Sequence, residues 1–144
     1  MNEYEYIVVV QCHITKQRCS GYGCEKAFTT RTGGFADYPA EKPYRIVYLD
    51  CGGCCGKATL RKLTNLTRLA GRDGLTKDKI VVQLASCITK DNFHSPRCPH
   101  AEYLRQLVAR ARLDCREDTV LSEKSEQRRQ DGTYPACSLQ RDRK

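Results

Sequence analysis

Three short apolar runs constrain this chain more than any other feature: Tyr6–Val10, Arg45–Leu49 and Lys79–Ala85. Each is rich in Val, Ile and Leu and nearly continuous, without clean polar alternation. A strand with one wet face alternates, whereas a strand covered on both faces does not, so these runs predict a parallel sheet between helical layers. The segments between them carry helical spacing. Cys24–Arg31, with Ala27 and Phe28 on one side, reads as a short helix stopped by Gly33-Gly34. Lys57–Ala70, where Leu60, Leu63, Leu66 and Leu69 recur, reads as a second helix with Gly71 as its stop. A third starts at Cys98-Pro99, because proline suits the first helical position. Its buried stripe is Leu104, Leu107, Val108 and Ala111, which leaves Arg105, Arg110 and Arg112 outward.

Alternation of strand and helix gives βαβ units. The expected fold is α/β: a single three-layer domain with a small, mostly parallel sheet of three to four or more strands and Rossmann- or flavodoxin-like connectivity. Thr119–Leu121 is the candidate fourth strand, and Ser122–Asp131 is a polar loop or solvated helix. Residues 1–121 thus form one cysteine-rich α/β domain, and residues 122–144 a polar C-terminal extension, loop or partly ordered, packed on the same domain. A chain of 144 residues suits one domain with its own core.

The formal charge of +8 raises the question of nucleic acid. Residues 1–113 hold 18 basic against 10 acidic side chains, and residues 114–144 hold 7 of each. The excess is scattered along helices and loops, not interleaved with aromatics on one element, and thiolates would cancel part of it. That pattern argues against nucleic acid and for a solvated basic surface. The N-terminal stretch lacks a basic segment, a long apolar core and a small-residue cleavage site, so it does not read as a signal peptide. No apolar run approaches the ~20 residues of a membrane span. The expectation is a cytoplasmic chain whose ten cysteines are reduced unless ligated.

Most of those cysteines fall in one place on the expected scaffold. Cys12 follows the first strand, Cys51 and Cys54 the second, and Cys87 the third. The carboxyl ends of parallel strands share one edge, where open α/β folds place their ligand crevice. Cys19, Cys24 and Cys98 belong to loops or helix starts that overhang this rim. Between the second strand and helix, Cys51-Gly-Gly-Cys54-Cys55-Gly56 packs three thiols into a glycine-rich turn at a helix N-terminus, a setting that lowers thiol pKa. Cysteine is often simply a small buried apolar residue. That reading suits Cys115 and Cys137, outside the pattern, and Cys55 can turn inward to pack. Among the histidines, His100 has the best claim as a ligand, standing where a helix begins at the rim. His94 comes next, and His13, expected to point away from Cys12, last.

The chain resembles the CGGC domain family over most of residues 6–112. The matching pieces are a strand ending in Cys12, Cys19-Ser-Gly-Tyr-Gly-Cys24-Glu-Lys-Ala27 followed by Arg31-Thr-Gly-Gly-Phe35, Cys51-Gly-Gly-Cys54, Ser86-Cys87 and Cys98-Pro99-His100. The resemblance implies metal binding, zinc in particular, and no established reaction. Two departures stand out. Cys55-Gly56 replaces the Pro-Gly that usually follows CGGC, and Gly132-Thr-Tyr134 stands where a Gly-Thr-His is usual.

Three chemistries remain open. The first is a metal centre, zinc or alternatively an iron–sulfur cluster, held by Cys12, Cys51, Cys54, Cys87, Cys98, Cys19, Cys24 and His100. C-x₂-C is a zinc and cluster spacing, but no second such pair is present, so other ligands must come from distant segments. The second is thiol–disulfide exchange by Cys51 and Cys54, a C-x-x-C at a helix start after a strand. The third is a metal-dependent enzyme on a small anionic substrate, with Arg31, Lys57 and Arg97 as anion-binding groups and Asp50 and Asp91 as acid–base groups.

Overall fold

The computed structural model describes residues 3–90 and 97–133. Asp91, His94, Tyr134 and Cys137 lie outside the described residues. Four strands, β1 (Tyr6–Gln11), β2 (Arg45–Asp50), β3 (Ile80–Leu84) and β4 (Asp114–Glu117), form one sheet in the order β2-β1-β3-β4. Every pairing is parallel. The helices are α1 (Tyr22–Thr30), α2 (Lys57–Arg72), a single turn α3 (Ser86–Thr89), α4 (Ala101–Arg110) and α5 (Glu123–Gln130).

The continuity of the apolar runs has the expected cause. In β1, Ile7 and Val9 pack with Ala27 and Phe28 of α1, while Val8 and Val10 pack with Leu63 of α2 and Leu104 and Val108 of α4. The chain steps from β1 to β2 in one direction and from β2 back across to β3 in the other. Connections of one hand running in opposite directions put their helices on opposite faces. The result is three layers, with α1 on one face and α2 and α4 on the other. The order reverses between β1 and β3, and the carboxyl ends there mark the topological switch point.

Several expected details differ. The fourth strand is Asp114–Glu117, not Thr119–Leu121. It lies at the sheet edge, where charged side chains are normal. Arg116 lays its guanidinium over the Tyr38 ring, and Glu117 pairs with Arg97 and Arg105. Arg105 therefore turns its guanidinium toward β4 while its side chain stays partly exposed. In α2 the apolar stripe runs through Thr59, Leu63, Leu66 and Ala70, and Leu69 is 45% exposed. A strict three-residue spacing drifts by about 60° per step around a 3.6-residue helix, so Leu60 and Leu69 cannot share a face. The helix continues through Gly71 to Arg72, and the left-handed residue beyond its end is Gly74 at φ +86°. Pro99 stands before the helix, with His100 as N-cap of α4. Ser122–Asp131 contains the solvated helix α5, capped by the Ser122 hydroxyl, which accepts from Ser125 N–H.

Candidate metal centre

The strand ladder continues past the ends of the strands and fixes the rim. Cys51 N–H donates to Gln11 O at 2.8 Å, and Ala85 N–H to Val10 O at 2.9 Å. Cys12, Cys51 and Cys87 therefore leave the sheet at neighbouring positions. Cys98 is tied to the same place by its N–H bond to Ile88 O at 2.8 Å. Cys12 and Cys51 are buried in the layer of α2 and α4, with Cys98 packed beside them. Cys87 borders both cores. Cys24 lies on the α1 side, where its sulfur is 3.2 Å from the Thr119 hydroxyl. Cys19 is exposed.

Backbone amides are aimed at the sulfurs. Cys12 N–H donates to Cys87 Sγ at 3.0 Å, His13 N–H to Cys51 Sγ at 3.4 Å, His100 N–H to Cys98 Sγ at 3.4 Å, and Ala58 N–H to Cys54 Sγ at 3.5 Å. None of the nine described cysteines is in a disulfide. The sulfurs also feel one another. Burial pushes the Cys87 thiol up to about 12, and the sulfurs of Cys12, Cys24 and Cys19 add to that effect. The Cys98 thiol is raised by burial first and then by Cys12 and Cys51. Six rim cysteines are thus within electrostatic reach of a neighbour. Even so, among the described residues no three His, Cys, Asp or Glu side chains stand close enough together to hold a metal ion.

Cys54 behaves differently from the others. It is exposed at the start of α2, and the N–H groups of Ala58 and Gly56, with Lys57 adding, hold its thiol below the ordinary cysteine range. Alkylation of metal-free protein by iodoacetamide should therefore modify Cys54 first and Cys87 last, with the Cys54 rate reaching half-maximum at a lower pH than an ordinary thiol. Peptide mass spectrometry over a time course reads the order. Labelling of exposed Cys19 ahead of Cys54 would show that the helix start does not activate it.

The turn that carries this pair is built by Asp50. Its Oδ1 accepts from Gly52 N–H at 2.7 Å and lies 3.5 Å from Lys62 Nζ. His13 Nδ1 lies 3.3 Å from the same oxygen, within ion-pair distance. Burial raises the Asp50 carboxyl, but Gly52 N–H, Lys62 and His13 together outweigh it and hold the group below the usual range. Asp50 is a turn-former, and an Asp two residues before Gly was the sequence signal for it. Gly52 and Gly53 take φ of +83° and +74°, and a Cβ on Gly53 would lie 2.9 Å from His13 Cδ2. His13 thus packs over the CGGC turn.

The CGGC domain model matches residues 6–119, well over half of the chain. The chain belongs to the CGGC domain family. Curated proteins yield no match, and neither do solved structures. In this CGGC domain, Cys55 is exposed and does not pack inward, because Gly56 at φ +122° turns the chain before α2 begins. Cys115 is half-buried on β4, with its thiol pushed up to about 11 by burial. His100 is exposed and caps α4. Arg31 is committed elsewhere, donating to the carbonyls of Phe28, Pro39 and Lys42. Arg97 is committed to Glu102 and Glu117. Neither is a free anion-binding group. No helix among the described residues is long and apolar enough to cross a membrane.

Proposed function

We propose that this CGGC domain binds a thiophilic metal at the carboxyl rim of its sheet, with zinc as first choice and an iron–sulfur cluster as alternative. Cys12, Cys51, Cys87 and Cys98 are the inner candidates, and Cys54, Cys19, Cys24 and His100 are the outer ones. The observation that carries the reading is the set of four backbone N–H groups donating to Cys51, Cys54, Cys87 and Cys98. Amide bonds to sulfur favour the thiolate and orient it, which is the outer-shell support that metal thiolates use. The donor chemistry fits such a metal, whereas the ligand geometry is not preassembled. Binding therefore has to draw the sulfurs together, and part of the binding energy orders the rim. A bound zinc would supply cross-linking and Lewis acidity there; a cluster would supply electron transfer.

A second reading, thiol–disulfide exchange, is favoured by one observation: exposed, activated Cys54 stands three residues from buried Cys51. Anaerobic purification without chelators, followed by metal, acid-labile sulfide and visible-spectrum measurements, separates the two. Stoichiometric zinc without colour supports the zinc centre, and a brown protein with labile sulfide supports the cluster. Absence of both, with Cys51 and Cys54 cycling in an exchange assay, would replace the metal reading by the redox one. Cys54→Ser should lower metal content, while Cys137→Ser should not. Equal loss from both would undo the assignment to the rim.

A further inference from the structure

The face of the sheet opposite Cys12 and Cys51 carries a second site that the thiols do not use. A cavity of about 390 Å³ opens between the ends of β1 and β2 and the start of α1, lined by Gln11, Lys16, Ser20, Gly21, Glu25 and Tyr48 among others. Two polar side chains in its wall make no hydrogen bond to a described residue. Gln11 is 2% exposed, and its amide makes no hydrogen bond to a described residue. The Tyr48 hydroxyl is buried and likewise unpaired. An unsatisfied buried polar group such as the Tyr48 hydroxyl costs about 1–3 kcal/mol, and with the unbonded Gln11 amide facing the same cavity it points to a ligand that meets both.

The other groups are complementary to the same ligand. Lys16 Nζ donates to Ser20 O at 3.0 Å and has no carboxylate partner among the described residues. A Cβ on Gly21 would sit 2.8 Å from Lys16 Nζ and 3.4 Å from Gln11 Nε2, so the two donors converge over a space that glycine leaves open. Gly21 is also the N-cap of α1, and the Ser20 hydroxyl before it accepts from Tyr22 N–H at 3.2 Å. The first-turn N–H groups of Gly23 and Cys24 have no partner within the helix and carry its partial positive charge. Burial, with Cys24 and Glu25 adding, pushes the Tyr48 hydroxyl up to about 12, so it keeps its proton and donates. The one carboxylate in the lining is Glu25, which accepts from the Thr29 hydroxyl at 2.7 Å.

A wall of ammonium, amide and phenol donors beside the N-terminus of α1 matches a tetrahedral oxyanion, and the lone carboxylate matches a hydroxyl beside it. We propose that this cavity binds a phosphate group, as a small phosphomonoester or as the free ion. Lys16, Gln11, Tyr48 and the first-turn amides of α1 meet the phosphate oxygens, and Glu25 accepts from a ligand hydroxyl.

The test is a titration of the purified protein with inorganic phosphate, glycerol 3-phosphate and glycerol, followed through amide nitrogen–proton shifts. Both phosphate compounds should move the Gly23 and Cys24 resonances, and glycerol should not. Tighter binding of the ester assigns the site to phosphomonoesters; equal binding assigns it to the free ion. Lys16→Glu should weaken binding about tenfold or more, since it removes a charge-assisted bond. Tyr48→Phe should weaken it severalfold while leaving the fold intact. Lys26→Glu, on the same helix but outside the cavity, should bind like the wild type. Unmoved Gly23 and Cys24 signals, or equal weakening by Lys16→Glu and Lys26→Glu, would overturn the proposal.

Discussion

Alanine at Gly34 is expected to destabilise the domain by about 3 kcal/mol, although it adds a single methyl group. Gly34 does not occupy the left-handed region, so the effect comes from space and not from backbone strain. A Cβ there would overlap the Asp118 carbonyl oxygen and lie 3.0 Å from Gln83 Nε2. Neither neighbour can retreat cheaply. Asp118 N–H is fixed to Leu84 O at 2.8 Å, and Gln83 Nε2 bridges Gly34 O at 2.8 Å and Asp118 O at 2.7 Å. Gln83 is fully buried, and its other end accepts from the Tyr38 hydroxyl at 2.8 Å. Forcing the two segments apart would strand these polar groups in the core.

The damage would reach the rim, because Thr119 follows Asp118 and exchanges hydrogen bonds with Ser86, the residue before Cys87. For a domain of this size, about 3 kcal/mol corresponds to a fall in melting temperature of about 6–12 °C, readable by circular dichroism. Gly71→Ala is the matched control. It lies in α2 with nothing within 4 Å of its Cβ position, and should stabilise by several tenths of a kcal/mol. A Gly34→Ala protein that melts like the wild type would show that the contact between Gly34 and Asp118 is not fixed in solution.

The contrast between those two glycines shows what the sequence could carry. Gly33-Gly34 reads as a helix stop, whereas α1 is ended by Arg31 in the left-handed region at φ 54° and the glycines form the next turn; their fit against residues 118–119 depends on a strand the sequence disguised. Asp114–Glu117 has no apolar run because it is an edge strand, and its arginine and glutamate cover the sheet margin with their stems. β1 and β3 were legible because burial on both faces leaves no room for polar side chains, and β2, the other edge strand, because its half-buried residues Ile46 to Leu49 are apolar. Once three parallel strands are placed, the positions of Cys12, Cys51 and Cys87 follow from strand ends alone. What spacing does not encode is which backbone amide meets which sulfur, since loops after the strands set that. Nor does it show that Arg31 and Arg97 are already engaged, or that Gln11 and Tyr48 close on a cavity. Tyr48 reads as one more apolar residue of β2 until its hydroxyl is found without a partner.

Removing the metal is expected to have the largest effect on the protein as it is isolated, if the rim binds one as proposed. Cys12, Cys51, Cys87 and Cys98 come from four separate segments, three strand ends and the entry to α4, so an ion held by three or more of them cross-links at least three of these. A ligand present at about a thousand times its dissociation constant stabilises the folded state by about 4 kcal/mol. At about 2–4 °C per kcal/mol for a domain of this size, a chelator should lower the melting temperature by about 8–16 °C. Restoring zinc in excess of the chelator should return it. Cys87→Ser should start from the lower value and respond to neither treatment, because an inner ligand is gone. Cys115→Ser, on β4 and away from the rim, should respond like the wild type. A chelator that leaves the wild-type melting temperature unchanged while zinc is shown to leave the protein would mean that the metal does not join these segments. Loss of the response in Cys115→Ser as well as Cys87→Ser would mean that general weakening of the core, and not ligation at the switch point, explains it.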